Sequence, residues 1–94
     1  MSNNIEKKHV KIIVSGKVQG VGFRYQTYQE AIKLGIFGYV KNQLDRTVLI
    51  EVEGDAYKVD IFIEWCKHGT SFSRVDNIKI VDLPIENLDK FVIR

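Results

Sequence analysis

Three glycines fall within seven residues at Gly16-Lys17-Val18-Gln19-Gly20-Val21-Gly22. No helix or strand tolerates glycine at that density, because glycine loses the most backbone freedom on ordering. The stretch is therefore a loop, and its flanks constrain the fold. Before it, His9 to Ser15 alternates, with Val10, Ile12 and Val14 set against Lys11 and Ile13, the mark of a strand. After it, Phe23, Thr27, Ala31 and Leu34 recur on one helical face, and Gly35 suits the left-handed position that closes such a helix. A strand thus turns through a glycine loop directly into a helix.

The same reading continues along the chain. Ile36–Asn42 and Thr47–Glu53 read as strands joined by a short turn, hence a hairpin. Asp55 is the expected N-cap of a second helix, whose stripe Val59, Phe62, Ile63 and Cys66 faces a core and which Gly69 stops. Val75–Val81 gives a fourth strand, Phe91–Arg94 a short fifth, and Pro84 marks the turn between them. The order strand, helix, strand, strand, helix, strand is the βαββαβ of a ferredoxin-like α+β fold. The expected architecture is a two-layer sandwich, a four- to five-stranded, mostly antiparallel sheet covered by two helices on one face.

Length and composition narrow the functional classes. A chain of 94 residues supports one core, so residues 9–94 form one expected domain behind a flexible, polar segment 1–8. No run approaches the roughly 18 apolar residues of a membrane span, and MSNNIEKKHV lacks the apolar core of a signal peptide. The expected location is cytoplasmic. The single cysteine, Cys66, cannot form an internal disulfide and reads as a small core residue on its helix rather than a nucleophile. A formal charge of +2 does not argue for nucleic acid. His9 and His68 lie far apart and near no cluster with metal spacing, so neither metal nor cofactor is expected.

The glycine loop leads into a helix N-terminus, where main-chain N–H groups converge and the helix dipole is positive. Arg24 stands in the first turn, where a cation opposes that dipole. Its placement hints at a role other than helix stability, and a guanidinium beside converging N–H groups matches phosphate oxygens. Two familiar phosphate loops are excluded: GxxxxGK[ST] from Gly16 needs glycine at Val21, and GxGxxG from Gly20 needs glycine at Tyr25. On composition alone two readings stay open: an anion loop, or a tight turn with a solvated arginine. Topology adds one link. In a split βαβ unit the first two strands run parallel around the third, so Arg24 and Asn42, at their ends, share one sheet edge about 10 Å apart. That gap suits groups flanking a bound phosphate and a water, although asparagine also ends strands simply as a turn residue.

The run Gly16-Lys17-Val18-Gln19-Gly20-Val21-Gly22-Phe23-Arg24 resembles the acylphosphatase signature GxVQGVxFR at every specified position. Leu34-Gly35-Ile36-Phe37-Gly38-Tyr39-Val40-Lys41-Asn42 resembles that family's LGxxGxVxN segment, and the likeness spans about residues 10–82. The resemblance implies hydrolysis of acyl phosphates to a carboxylate and inorganic phosphate, without metal or cofactor. It implies that Arg24 and the main-chain groups of Lys17, Val18, Gln19, Gly20, Val21, Gly22 and Phe23 bind the phosphoryl oxygens, and that Asn42 orients the water. Arg46 stands where the family favours a turn glycine, which points to a looser turn or a residue with positive φ, and Gly69-Thr70 stands where it favours Gly-Pro. The expected partner is a small acyl phosphate; the expected state is a monomer without nucleic-acid or membrane partners. Two alternatives share the fold: a non-catalytic phosphate- or metabolite-binding module, and an RNA-binding module, since Phe37-Gly38-Tyr39-Val40 echoes an aromatic RNA-binding motif. The echo fails at Ile36, Gly35 and Asn42 and lies on the second strand rather than the third.

Overall fold

The computed structural model describes residues 6–94; part of the expected flexible segment, residues 1–5, lies outside them. Strand β1 (Lys7–Lys17) passes through the glycine loop into α1 (Phe23–Leu34). Then come β2 (Phe37–Asn42), β3 (Val48–Asp55), α2 (Ala56–His68), β4 (Arg74–Asp82) and β5 (Phe91–Ile93). Alternation places the start of β1 at His9, but Lys7 and Lys8 already pair with Asp55 and Gly54. Polar side chains do not prevent a strand where a neighbour offers a ladder of hydrogen bonds.

The sheet order is β4-β1-β3-β2-β5. All neighbours are antiparallel except β2 and β5. The register decides which side chains meet. Val10, Ile12 and Val14 of β1 lie opposite Val52, Ile50 and Val48 of β3, and Val40 of β2 lies opposite Ile50. These residues are buried and form one face of the sheet with the helices packed over it. The helices contribute Phe23 and Ala31 from α1 and Val59, Phe62 and Cys66 from α2. Trp65 stacks between Phe23 and Phe62, with ring centroids 5.7 and 5.9 Å away. Burial of each such side chain contributes roughly 1.5–3 kcal/mol. Burial also pushes the Cys66 thiol far above its ordinary range, with the Glu30 charge adding to the effect. That is the environment of an inert core thiol.

The helix ends follow the expected rules in part. Gly35 closes α1 in the left-handed region (φ 68°) and donates to the carbonyls of Ala31 and Ile32. Gly69 closes α2, and Thr70 and Ser73 hold the turn beyond it, Thr70 N–H donating to Ser73 Oγ at 2.7 Å. Asp55 stands at the N-cap of α2, but its side chain makes no capping bond. Instead Ala56 N–H donates to the carbonyl of Glu6 at 2.8 Å, so the chain ahead of β1 supplies the acceptor.

The β2–β3 turn is tight. Gln43 N–H donates to Thr47 O at 2.9 Å and Arg46 N–H to Gln43 O at 3.1 Å. Asp45 Oδ1 accepts from the main chain of Thr47 at 3.0 Å and from its hydroxyl at 2.6 Å. Closing this turn drives Arg46 to φ 75°. A residue with a Cβ costs about 1–2 kcal/mol there, and Arg46 is exposed. Arg46→Gly is therefore expected to stabilise the protein by about 0.5–1 kcal/mol, the relieved strain less the extra unfolded-state entropy of glycine. Urea denaturation at constant m-value measures it; a lower midpoint would contradict this account of the turn.

Candidate active site

Gly20 and Gly22 have φ 74° and 75°. A Cβ at either position would meet nothing within 4 Å, so the demand for glycine there is conformational rather than one of space. Gly22 is the N-cap of α1, with no side-chain cap and no acidic residue in the first turn. The first N–H groups of a helix have no intrahelical acceptor. The residues that carry them, Phe23, Arg24 and Tyr25, line a cavity, with the positive end of the helix dipole at that end of α1.

Asn42 reaches the same place from the other side. It lies opposite Val48, whose partner on β1 is Val14, so it continues the helix-covered face of the sheet at its edge. Its Oδ1 is buried and has no hydrogen-bond partner among the described residues. Val18, Gly20, Gly22, Phe23, Arg24 and Asn42, together with Tyr25 and Ile93, line one cavity of about 220 Å³. Lys17, Gln19 and Val21 are not on that wall. Lys17 is exposed at the end of β1, opposite Arg74, and Val21 packs against the core. Gln19 turns its side chain toward the β2–β3 turn, where Nε2 donates to Gln43 O at 2.8 Å and Thr47 O at 2.9 Å.

Tyr25 and Ile93 are wall residues that spacing did not mark. Tyr25 is 55% exposed, and its hydroxyl accepts from Gln29 Nε2 at 3.1 Å, one helical turn on. Ile93 arrives from β5, and nothing in its local sequence links it to the loop.

The opposite face of the sheet holds a polar network that governs how β5 arrives. Residues 83–90 run from β4 at one edge to β5 at the other. Glu53, only 2% exposed, accepts the N–H groups of Glu86 and Leu88, both at 2.5 Å. His9 is equally buried, with Nδ1 2.7 Å from Pro84 O and Nε2 3.1 Å from Glu51 Oε1. Glu51 Oε2 accepts from the Tyr39 hydroxyl at 2.6 Å. Burial, and next the bond to Glu51, push that phenol up to about 12. The Arg94 guanidinium covers the Tyr39 ring at 3.9 Å, so one face of an aromatic in the RNA-motif echo is occupied. Just past β5, the main-chain oxygen of Arg94 accepts from Arg24 Nη1 at 2.8 Å. The segment clamped by Glu53 thus leads through β5 to Arg94, which meets the arginine in the first turn of α1. A buried histidine this close to two glutamates was not legible in spacing, because the three come together only across strands. Among the described residues no group of three His, Cys, Asp or Glu side chains is arranged to hold a metal.

The fold and this edge define a class: a ferredoxin-like sandwich in which a glycine loop, a helix N-terminus and a strand-end amide surround one small cavity. Comparison with known proteins makes the class specific. The acylphosphatase family model matches residues 10–93, and the chain belongs to the acylphosphatase family. An acylphosphatase from Oceanobacillus iheyensis is 42% identical over 89 residues, covering 93% of this chain and 98% of that protein. One from a Nocardioides species is 40% identical over 85 residues, covering 90% and 86%. The crystal structure of acylphosphatase from Bacillus subtilis superposes with a TM-score of 0.89 at 39% identity, covering 95% of this chain and 99% of that one.

Glu53 generates a pH prediction. Burial alone would raise its carboxyl, but the main-chain N–H groups of Leu88, Glu86 and Asn87, helped by His9, hold it below the ordinary 4.5. A carboxylate with a depressed folded-state pKa adds stability that is present above its unfolded value and lost as pH falls through the folded one. Stability is thus expected to decline below about pH 4.5. Glu53→Gln should flatten that decline and cost about 2 kcal/mol at neutral pH, since hydrogen bonds to a charged acceptor are lost. Urea midpoints against pH for both proteins measure this; parallel curves would refute the role given to Glu53.

Proposed function

We propose that the cavity between the glycine loop and Asn42 is where this acylphosphatase splits the carboxyl–phosphate bond of an acyl phosphate. Main-chain N–H groups of the loop and of the first turn of α1, with the Arg24 guanidinium, hold the phosphoryl oxygens. The Asn42 side chain holds the attacking water. The oxygen of that water bonds to phosphorus as the bond to the carboxylate oxygen breaks, giving a carboxylate and inorganic phosphate. Negative charge on the phosphoryl oxygens and the departing carboxylate faces Arg24 and the helix N-terminus, so positioning and electrostatics carry the acceleration.

The observation that carries this reading is the buried, unpartnered Oδ1 of Asn42 on the same cavity wall as Arg24 and the two left-handed glycines. An acceptor without a partner normally costs about 1–3 kcal/mol when buried. A turn of the Asn42 amide toward the cavity brings that oxygen to a water, which satisfies it and stands beside the phosphate cradle. Among the described residues the wall carries no carboxylate side chain and no imidazole. The proton of the water is therefore assigned to an oxygen of the substrate's own phosphate, which the good leaving group makes feasible. The apolar side of the cavity, Tyr25 and Ile93, is left for the acyl group. Asn42 and Arg24 then divide the work: one acts on the water, the other on the phosphate.

Hydrolysis of benzoyl phosphate, followed by absorbance, tests the assignment. Asn42→Ala is expected to abolish most turnover while inorganic phosphate inhibits at nearly the wild-type concentration. Arg24→Ala is expected to lose both, with roughly 1.5–3 kcal/mol of phosphate affinity removed with the charged donor. Equal loss of phosphate affinity in the two variants would contradict the division. Turnover is also expected to persist in EDTA, because among the described residues no carboxylate, imidazole or thiol lines the cavity; activity that disappears in EDTA and returns with magnesium would count against the scheme.

A further inference from the structure

We infer that the Gln19 side chain is a positioning residue that sets the separation between the phosphate cradle and Asn42, and that it contacts neither substrate nor water. The inference rests on the site proposed above. Gln19 sits in the middle of the glycine loop, half-buried, off the cavity wall. Its two amide protons go to two carbonyls on opposite sides of the β2–β3 turn, Gln43 O and Thr47 O. Both partners are acceptors, so the orientation of the amide is determined by chemistry: an oxygen in that position would face two other oxygens. Gln43 follows Asn42 directly in the chain.

Each side of the gap is stiff by itself. The turn is closed by Gln43–Thr47, Arg46–Gln43 and Asp45–Thr47 hydrogen bonds. A further bond from Gln43 Nε2 to Thr47 Oγ1 at 2.9 Å crosses it. The loop is anchored by buried Val18 on one side and buried Phe23 on the other. What remains to be fixed is the distance between the two stiff units. The strands are paired through β3 as far as Val14–Val48 and Asn42–Val48, and β1 runs on along β4 only to Lys17–Arg74, so from Val18 the loop, like the turn, projects beyond the β3 ladder. Among the described residues, Gln19 supplies the side-chain hydrogen bonds that span that overhang. In-line attack depends on the water lying within a fraction of an ångström of its line to phosphorus, and a misplacement of about 1 Å costs on the order of a hundredfold.

Gln19→Glu keeps the length of the side chain and replaces the donor with an oxygen that repels both carbonyls; Gln19→Ala removes the bridge. In both, kcat for benzoyl phosphate is expected to fall on the order of ten- to a hundredfold, while inhibition by inorganic phosphate changes less than about twofold. A purely structural role would instead move kcat and phosphate affinity together, and that result would overturn the inference, as would wild-type kcat in Gln19→Glu. A second measurement does not need turnover. In ¹⁵N–¹H spectra of the phosphate-saturated protein, the Asn42 side-chain amide pair is expected to shift in Gln19→Glu while main-chain signals of α1 stay in place. An unmoved Asn42 amide overturns the inference. Failure of the wild-type protein to hydrolyse benzoyl phosphate would overturn the proposed function instead, and the spectra would still decide the placement by Gln19.

Discussion

Strand β3 hydrogen-bonds to β1 along one edge and to β2 along the other, and the geometry of the site follows from that sharing. Because both neighbours are antiparallel to β3, they are parallel to each other and end at the same side of the sheet. Val48 is the common point, opposite Val14 on one side and Asn42 on the other. The glycine loop leaves just beyond Val14, and the asparagine sits at the end of β2. A slip of one residue in the β2–β3 register would turn Asn42 to the open face and send Lys41 toward the helices.

Two networks, one on each face, carry that geometry to the working groups. On the helix-covered face the apolar core holds α1 against the sheet, with Phe23 locked in a stack with Trp65 and thus its neighbour Arg24 confined. On the open face Glu53 and His9 clamp residues 83–90, which deliver β5 beside β2. Arg24 is gripped from both sides: by its place in the first turn of α1 and by the Arg94 main-chain oxygen. A guanidinium held at one nitrogen keeps its other donors in a fixed fork, which is what bidentate recognition of phosphate oxygens needs.

The two departures from the family pattern illustrate how local strain is tolerated. Arg46 takes the left-handed conformation that the turn imposes, because Asp45, Thr47 and Gln43 supply enough hydrogen bonds to hold it. Beyond Gly69, Thr70 and Ser73 form side-chain bonds that replace the rigidity a proline would bring. Neither residue lies on the cavity wall.

Much was legible from local pattern. Alternation in β1 and β3, the stripes of α1 and α2, and the glycines at 20, 22 and 35 each report backbone preference or burial within a few residues, and these are encoded where they act; Gly16, read as the start of the loop, instead lies at a bulge inside β1, where a Cβ would collide with the Arg74 carbonyl across the ladder. The βαββαβ order followed, and so did the shared edge of Arg24 and Asn42. What the chain could not disclose locally were contacts between residues far apart in sequence. His9 with Glu51 and Glu53, Arg24 with Arg94, Ile93 on the cavity wall and Gln19 on the turn carbonyls all depend on strand register and on the path of residues 83–90. Asp55 makes the same point in reverse: the residue type was right for a helix cap, but the Glu6 carbonyl reached the first N–H of α2 instead. Polar partners are chosen by three-dimensional proximity, and a one-residue shift in pairing would have chosen others.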